Sequence, residues 1–327
     1  MARLNRAGRW AERPGGPTDR GGRLSAMAPA STPARPFGAL LTAMVTPMAP
    51  DGSIDVEAGV ALAKHLVEHG HDGLVLNGTT GEAPTTHAPE KAELVRAVVE
   101  AVGDRAMVLA GAGSNDTAHA VRMAEQSADA GAHGLLVVTP YYSRPSQEGV
   151  YRHTVAVADA TDLPVMLYDV PGRTGVRYAP ETLDRLAQHP CIVAVKDATG
   201  DPQTALQHSA RTGLAWYSGD DGLLLPLLAV GAVGLVSMSG HLVGDELASV
   251  IGSFDAGDVA KARALFVDLL PVIDVIGGSG NGALRSKTAL HLLGLIPSPT
   301  MRLPHVAADE VETEHVRSVL VSAGLLS

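Results

Sequence analysis

Short apolar runs recur along the chain, and each is followed by a longer segment with helical periodicity. None of the runs alternates between apolar and polar positions, which is typical of parallel strands that are covered on both faces. The eight runs are Leu40–Val45, Gly73–Leu76, Met107–Ala110, Gly134–Val138, Val165–Tyr168, Ile192–Lys196, Leu214–Ser218 and Gly234–Met238.

The helical segments between the runs carry start and stop signals. Asp116 stands where an N-cap residue is expected, and Gly70 and Gly131 are placed as C-terminal stops. Such segments include Asp55–Gly70, Pro89–Val102, Asp116–Gly131 and Gln147–Ala160. Eight βα units favour a closed (β/α)8 TIM barrel, for which about 250 residues is typical. An open doubly wound sheet is the alternative, but no strand is followed by the GxGxxG of a dinucleotide site.

The pattern divides the chain into three parts. Residues 37–257 form the predicted α/β barrel, and residues 258–327 are purely helical and form a predicted small C-terminal domain. Residues 1–36 hold seven Arg and two acidic residues without apolar periodicity, so we expect a disordered N-terminal extension. The extension is Arg-rich like an organelle presequence, but it shows no amphipathic helix.

Composition excludes several classes of protein. The chain is 46% hydrophobic and 3% aromatic with a net charge of −10, which disfavours nucleic acid and anionic membranes as partners. A single cysteine, Cys191, excludes an internal disulfide framework and favours a reducing compartment, the cytoplasm. The uncharged stretch 222–244 is broken by Pro226 and several glycines, so a buried helix and strand are expected there rather than a membrane span.

Polar residues follow the predicted strands at their carboxyl ends, where a barrel carries its chemistry. Lys196 is the sharpest candidate, because the other four lysines lie in helical patterns and Lys196 alone closes an aliphatic strand. Burial disfavours the ammonium form and makes an amine nucleophilic. The alternative is a lysine that reaches solvent or pairs with a carboxylate. Asp197 does not neutralise it, since adjacent strand residues point to opposite faces.

Other groups are expected at the same edge of the barrel. Tyr168 ends the neighbouring strand and is a candidate proton donor and acceptor, although a Tyr that merely fills the barrel is the commoner case. Thr79 and Thr80 lie in a glycine-bounded turn that suits a carboxylate, as do many ordinary βα turns. Arg173 follows in a Pro/Gly loop and suits a second carboxylate, with a surface salt bridge as the alternative.

Four segments, in this order, resemble the dihydrodipicolinate synthase / N-acetylneuraminate lyase family, and within it the actinobacterial dihydrodipicolinate synthases. The resemblance runs from about Gly38 to the C-terminus. The segments are Gly78-Thr79-Thr80-Gly81-Glu82, Tyr141-Tyr142-Ser143-Arg144-Pro145, Tyr168-Asp169-Val170-Pro171-Gly172-Arg173-Thr174 and Val195-Lys196-Asp197.

The resemblance implies a lyase that condenses pyruvate with L-aspartate 4-semialdehyde through a lysine imine (Schiff base). That reaction is the first committed step of lysine and diaminopimelate biosynthesis. Lys196 then forms the imine, and Tyr168 donates and accepts protons. Thr79, Tyr168 and Tyr142 form a proton relay, in which Tyr142 reaches the site of a neighbouring subunit.

The substrate-binding residues are likewise implied by the resemblance. Thr80 falls where the family binds the pyruvate carboxylate, and Arg173 where it binds the carboxylate of the aldehyde. Val236 falls at a main-chain pyruvate contact, and Gly219 lines the pocket. The resemblance also implies a homotetramer, a dimer of dimers, with neither a cofactor nor a metal.

Three alternatives remain open at this point. N-acetylneuraminate lyase or a keto-deoxy-sugar aldolase shares the imine chemistry and differs in the acceptor aldehyde. A bound pyridoxal phosphate on the lysine is a second alternative. A zinc metallopeptidase is the third, because His65, Glu68 and His69 match the H-x-x-E-H signature, although that segment ends a helix at the opposite end of the barrel.

The sequence departs from lysine-inhibited members of the family at the regulatory pocket. Lys91 and His119 stand where those members have a His and a Glu, and Lys91 places a cation where the ammonium of a lysine ligand would lie. We therefore predict weak or absent inhibition by lysine. An activity assay with micromolar lysine is expected to leave the rate unchanged, and half-inhibition in that range would contradict the prediction.

Overall fold

The computed structural model describes residues 34–278 and 281–327. Within them, eight parallel strands close into one barrel in chain order, and β1 pairs with β8. This confirms the predicted barrel. The strands are β1 Leu40–Ala43, β2 Gly73–Leu76, β3 Met107–Gly111, β4 Gly134–Val138, β5 Val165–Asp169, β6 Ile192–Asp197, β7 Ala215–Ser218 and β8 Gly234–Ser237.

Helices surround the barrel and continue beyond it. They are α1 Val56–Glu68, α2 Ala88–Val102, α3 Thr117–Asp129, α4 Gln147–Ala158, α5 Pro171–Thr174, α6 Pro180–Leu186, α7 Pro202–Thr212, α8 Leu224–Ala229, α9 Gly240–Asp255, α10 Val259–Gly277, α11 Gly282–Leu292 and α12 Glu310–Ser322. The side chain of Asp116 accepts from the backbone N–H of Ala118, as an N-cap does. Gly70 and Gly131 have positive φ angles at the ends of α1 and α3, as the stop signals predicted.

The strands are apolar on both faces because two different cores cover them. Alternate residues, such as Leu41, Val75 and Met166, fill the barrel interior together with Tyr217. The intervening residues pack outward against the helices. The interior is therefore filled by aliphatic and aromatic side chains, and a ligand site is expected at the carboxyl ends of the strands.

The C-terminal helices share a core with the barrel. α9, α10 and α12 pack on Leu40 of β1 and Leu235 of β8 in one cluster of buried apolar side chains. Within the predicted extension, residues 1–33 lie outside the described residues. Near the end of the predicted extension, Arg35 forms an ion pair with Asp255 at 2.7 Å and donates to the carbonyl oxygen of Val233.

The uncharged stretch 222–244 contains α8, β8 and the start of α9. This agrees with the buried helix and strand that were predicted there. Among the described residues, no helix is long and apolar enough to cross a membrane.

A substitution at the start of β8 tests how closely this strand packs against Ala39, the residue before β1. A Cβ atom on Gly234 would lie 2.2 Å from the carbonyl oxygen of Ala39, whereas one on Gly252 in α9 would meet nothing within 4 Å. We expect Gly234→Ala to lower the free energy of unfolding by about 1–3 kcal/mol. Gly252→Ala is the matched control and should raise it by up to about 1 kcal/mol. Equal urea midpoints for the two variants would contradict this packing.

Candidate active site

A cavity of about 250 Å³ opens at the carboxyl ends of the strands. Six of the eight residues singled out from the sequence line it: Thr79, Thr80, Tyr168, Arg173, Lys196 and Gly219. An adjoining cavity of about 320 Å³ shares Thr79, Tyr168 and Arg173 with it. The fold therefore brings these side chains to one place from four different βα loops and strand ends.

Lys196 is the buried amine of this cavity. Lys196 is 4% exposed, and its Nζ lies 4.5 Å from the centre of the Tyr168 ring. The two residues are close because Tyr168 on β5 and Lys196 on β6 are register partners. Burial lowers the pKa of Lys196 to about 8; Asp221 opposes the shift and Arg173 adds to it. About a tenth of the amine is therefore unprotonated at pH 7, far more than for an ordinary lysine, and the unprotonated form is the nucleophile.

Tyr168 is buried beside the amine. Burial raises the pKa of its phenol, while the positive charge of Arg173 and a hydrogen bond with the Thr79 side chain work in the opposite direction. The phenol therefore stays protonated at neutral pH and hydrogen-bonded to a second hydroxyl. Such a pair can give a proton to, and recover it from, a group bound at Lys196.

Gly219 and Val236 shape the space around the amine. A Cβ atom on Gly219 would lie 3.0 Å from the Cε and Cγ atoms of Lys196, so a side chain here would press on the lysine. Val236 is fully buried in the barrel interior and is not among the residues that line the cavity.

The Thr79–Thr80 turn follows β2. Thr80 is buried and Thr79 is exposed toward the cavity mouth. The backbone N–H of Glu82 donates to the Thr79 carbonyl oxygen at 3.1 Å, and Glu82 itself has a φ of +57°. A non-glycine residue in the left-handed region marks a turn that its surroundings hold in place.

Tyr142 is the one predicted relay residue that this chain does not bring to its own cavity. Its side chain is 88% exposed, and its φ is +70°. The backbone N–H of Tyr142 donates to the Thr174 carbonyl oxygen at 3.3 Å, which fixes the outward direction of the loop. Its assignment to the site of a neighbouring subunit stays a prediction.

Acidic residues around the cavity were not predicted from the sequence. Asp221 is buried and accepts from Ser237 Oγ and from the backbone N–H of Met238, and it lines the cavity near Lys196. The Asp220–Asp221 pair directly after β7 was the available signal, since carboxyl ends of strands carry the chemistry of a barrel.

A second pair of carboxyl groups lies on β5 and β6. Asp169 and Asp197 are register partners on β5 and β6, and Trp216 Nε1 donates to Asp197 Oδ2 at 2.8 Å. The contact with Trp216, in the layer between strands and helices, confirms that Asp197 points away from Lys196. Burial, together with the charge of Asp197, raises the pKa of Asp169 to about 7.

The segment that matches the zinc signature forms a different arrangement. The rings of His65 and His69 lie 4.3 Å apart, and His69 Nδ1 pairs with Asp245 at 2.7 Å, while Glu68 is exposed. Among the described residues there is no group of three or more His, Cys, Asp or Glu side chains that could hold a metal. The arrangement at this helix end is a contact between the His69 ring and the Asp245 carboxyl group.

Lys91 occupies the position expected to weaken lysine binding. It is 8% exposed, and its Nζ donates to the Ala83 carbonyl oxygen at 2.8 Å, while His119 is exposed on α3. Burial lowers the pKa of Lys91 to about 8. The absence of lysine inhibition stays a prediction.

Comparison with known proteins gives one consistent family. Residues 36–323 match the model of the Dihydrodipicolinate synthetase family. A protein of Streptomyces coelicolor named 4-hydroxy-tetrahydrodipicolinate synthase 2 is 56% identical over 299 residues, which cover 91% of this chain and 99% of that one. The 4-hydroxy-tetrahydrodipicolinate synthase of Bifidobacterium longum is 52% identical over 291 residues, 89% of this chain and 96% of that one.

A solved structure gives the same result. The dihydrodipicolinate synthase DapA-2 of Bacillus anthracis superposes with a TM-score of 0.84 at 42% identity, covering 88% of this chain and 98% of that one. These matches favour neither a metallopeptidase nor a pyridoxal phosphate enzyme.

Asp169 gives a testable consequence for stability. Its pKa is about 7 in the folded protein against 3.8 for the free group, so the folded state holds its proton more tightly. The contribution of the Asp169 proton to the free energy of unfolding therefore decreases as pH rises from about 4 to 7, and it is absent above 7. We expect Asp169→Asn to raise the free energy of unfolding at pH 8, by up to about 4 kcal/mol, and by much less at pH 4.

The control is Asp104→Asn, at a side chain that is 85% exposed, and this substitution should change the free energy of unfolding little. Urea unfolding at the two pH values measures both variants. An Asp169→Asn protein that is less stable than the wild type at pH 8 would contradict the raised pKa of Asp169.

Proposed function

Because the chain belongs to the dihydrodipicolinate synthetase family, we propose that it condenses pyruvate with L-aspartate 4-semialdehyde to 4-hydroxy-tetrahydrodipicolinate. This is the reaction of a 4-hydroxy-tetrahydrodipicolinate synthase, a lyase of lysine and diaminopimelate biosynthesis. The observation that carries the proposal is the buried amine of Lys196 beside the Tyr168 phenol in a cavity that also holds Thr80 and Arg173.

The first step is imine formation. The neutral amine of Lys196 attacks the ketone carbon of pyruvate, and the resulting carbinolamine loses its hydroxyl as water after Tyr168 donates a proton to it. The protonated imine draws electrons from the adjacent methyl group, which gives up a proton to the Tyr168 phenolate and leaves an enamine. The buried site favours this sequence, because it keeps the amine partly unprotonated before pyruvate binds.

The second step joins the two substrates. The enamine carbon attacks the aldehyde carbon of L-aspartate 4-semialdehyde, and the aldehyde oxygen takes a proton from the Tyr168 phenol. Arg173 holds the carboxylate of this substrate at the cavity mouth, where its guanidinium is exposed. The α-amino group of the second substrate then attacks the imine carbon, closes the ring and releases Lys196 as a free amine.

The remaining residues bind pyruvate and move protons. Thr80, with the backbone of its turn, binds the pyruvate carboxylate, and Gly219 leaves room for the imine. The backbone at Val236 contributes a further pyruvate contact. Thr79 passes protons between Tyr168 and a third hydroxyl, supplied by Tyr142 of a neighbouring subunit.

The relay requires self-association. Tyr142 is 88% exposed and is not among the residues that line its own cavity, so a second copy of the chain is needed to complete each site. A homotetramer built as a dimer of dimers meets this requirement. The single cysteine, Cys191, is free and suits the reducing cytoplasm, where we place the enzyme.

The direct test is turnover with the two substrates, followed by coupled reduction of the product. Lys196→Ala should lower the rate by at least about 10³-fold, because no other amine replaces the nucleophile. Lys261→Ala, at an exposed lysine of α10, should retain the wild-type rate. A wild-type protein that turns over a sugar-derived aldehyde and not L-aspartate 4-semialdehyde would instead make it a sugar aldolase of the same family.

The pKa of Lys196 predicts the pH dependence of the first step. The amine is protonated below a pKa of about 8, so the rate of imine formation at low pyruvate should fall about tenfold per pH unit below it and level off above. Stopped-flow mixing with pyruvate alone measures this rate. A profile that still rises at pH 10 would mean that Lys196 has the pKa of an ordinary lysine.

A further inference from the structure

A buried ion pair joins the Thr79–Thr80 turn to the C-terminal helices, and the reaction described above makes no use of it. The Lys287 Nζ on α11 contacts Glu82 Oε1 across 205 positions of the chain. Lys287 is 0% exposed and Glu82 is 2% exposed. Burying two charges is costly unless each is fully paired, so an ion pair at this depth calls for a specific reason.

Each partner is held by further hydrogen bonds. Lys287 Nζ also donates to the Thr300 carbonyl oxygen at 2.7 Å, and the backbone N–H of Arg302 donates to Glu82 Oε2 at 3.0 Å. The guanidinium of Arg302 donates in turn to the Thr85 carbonyl oxygen at 2.8 Å. The segment after α11 and the turn after β2 are therefore fastened together at several points, with Glu82 at the centre.

Glu82 transmits this contact to the turn through its own backbone. Its φ of +57° is unfavourable for a residue with a side chain, and its backbone N–H donates to the Thr79 carbonyl oxygen. Thr46 Oγ1 donates to the Gly81 carbonyl oxygen at 2.7 Å from the other side of the turn. The ion pair thus holds the end of a turn whose other end presents Thr79 and Thr80 to the cavity.

We propose that Glu82 and Lys287 are positioning residues, which hold the Thr79–Thr80 turn so that Thr79 meets Tyr168 and Thr80 meets the pyruvate carboxylate. The inference rests on the proposed function. Neither residue touches Lys196, so loss of the pair should spare the amine and its imine. It should slow the proton transfers that convert the imine to the enamine, since small displacements of a proton donor have large effects on rate.

Two experiments with pyruvate, without the second substrate, measure imine formation and proton transfer separately. Borohydride reduction at saturating pyruvate measures the fraction of chains that carry the imine. Exchange of the pyruvate methyl protons in D₂O, followed by NMR, measures enamine formation and proton transfer.

The main variant is the double substitution Glu82→Gln and Lys287→Met, which removes both charges and leaves an amide to accept from Arg302. Lys287→Met alone would leave the Glu82 carboxylate buried without its ammonium and is less stable for that reason. Lys261→Met is the matched control at an exposed lysine. Circular dichroism and thermal melting establish first that each variant is folded.

In the double variant we expect the trapped fraction to match that of the wild type. Methyl exchange should fall by about 10²-fold, and the pyruvate concentration for half-saturation should rise. The Lys261→Met control should change neither quantity.

A folded double variant that exchanges at the wild-type rate would overturn the inference and leave the pair a purely structural one. Equal losses of trapping and exchange would also overturn it, because the effect would then lie on Lys196 itself. A wild-type protein that traps no pyruvate would contradict the proposed function, an outcome that differs from both.

Discussion

The removal of the Lys196 amine from water is the constraint on which the site depends. An ammonium group is strongly hydrated, and burial removes that hydration while Asp221 compensates for it only in part. The protein therefore holds the amine partly neutral at a pH where lysine is ordinarily charged. The barrel secures this by covering each strand on both faces, and Lys196 lines the cavity at the carboxyl ends of the strands.

The groups around the amine come from distant parts of the chain, and a second layer of contacts keeps them in place. Gly219 leaves the space that the Lys196 side chain occupies. The turn with Thr79 and Thr80 is connected to α11 through Glu82 and Lys287. The C-terminal helices share a core with β1 and β8, and so they belong to the same structural unit as the site rather than to an accessory.

Sequence reasoning predicted the barrel because both-sided burial makes every strand a continuous apolar run, and it placed all eight strands within two residues of their ends. It did not identify α5, which has four residues, α6, which has seven, or α7, which buries Ala205 and His208 rather than large apolar side chains. Lys196 and Tyr168 were predictable because strand ends are where a barrel displays polar groups.

The Glu82–Lys287 pair was not predictable, because Lys287 lies in a helical pattern like that of the exposed Lys261. Only the three-dimensional fold separates a buried lysine from an exposed one when the local pattern is the same. The pairing of Asp169 with Asp197 likewise depends on strand register, which neither strand specifies alone.

The most direct test of the central claim is to locate the imine. The protein is reduced with borohydride in the presence of pyruvate, digested, and its peptides are mapped by mass spectrometry. The account predicts one pyruvate-derived adduct, on Lys196, and none on the other four lysines of the chain. An adduct on another lysine, or condensation of the two substrates without any adduct, would contradict it.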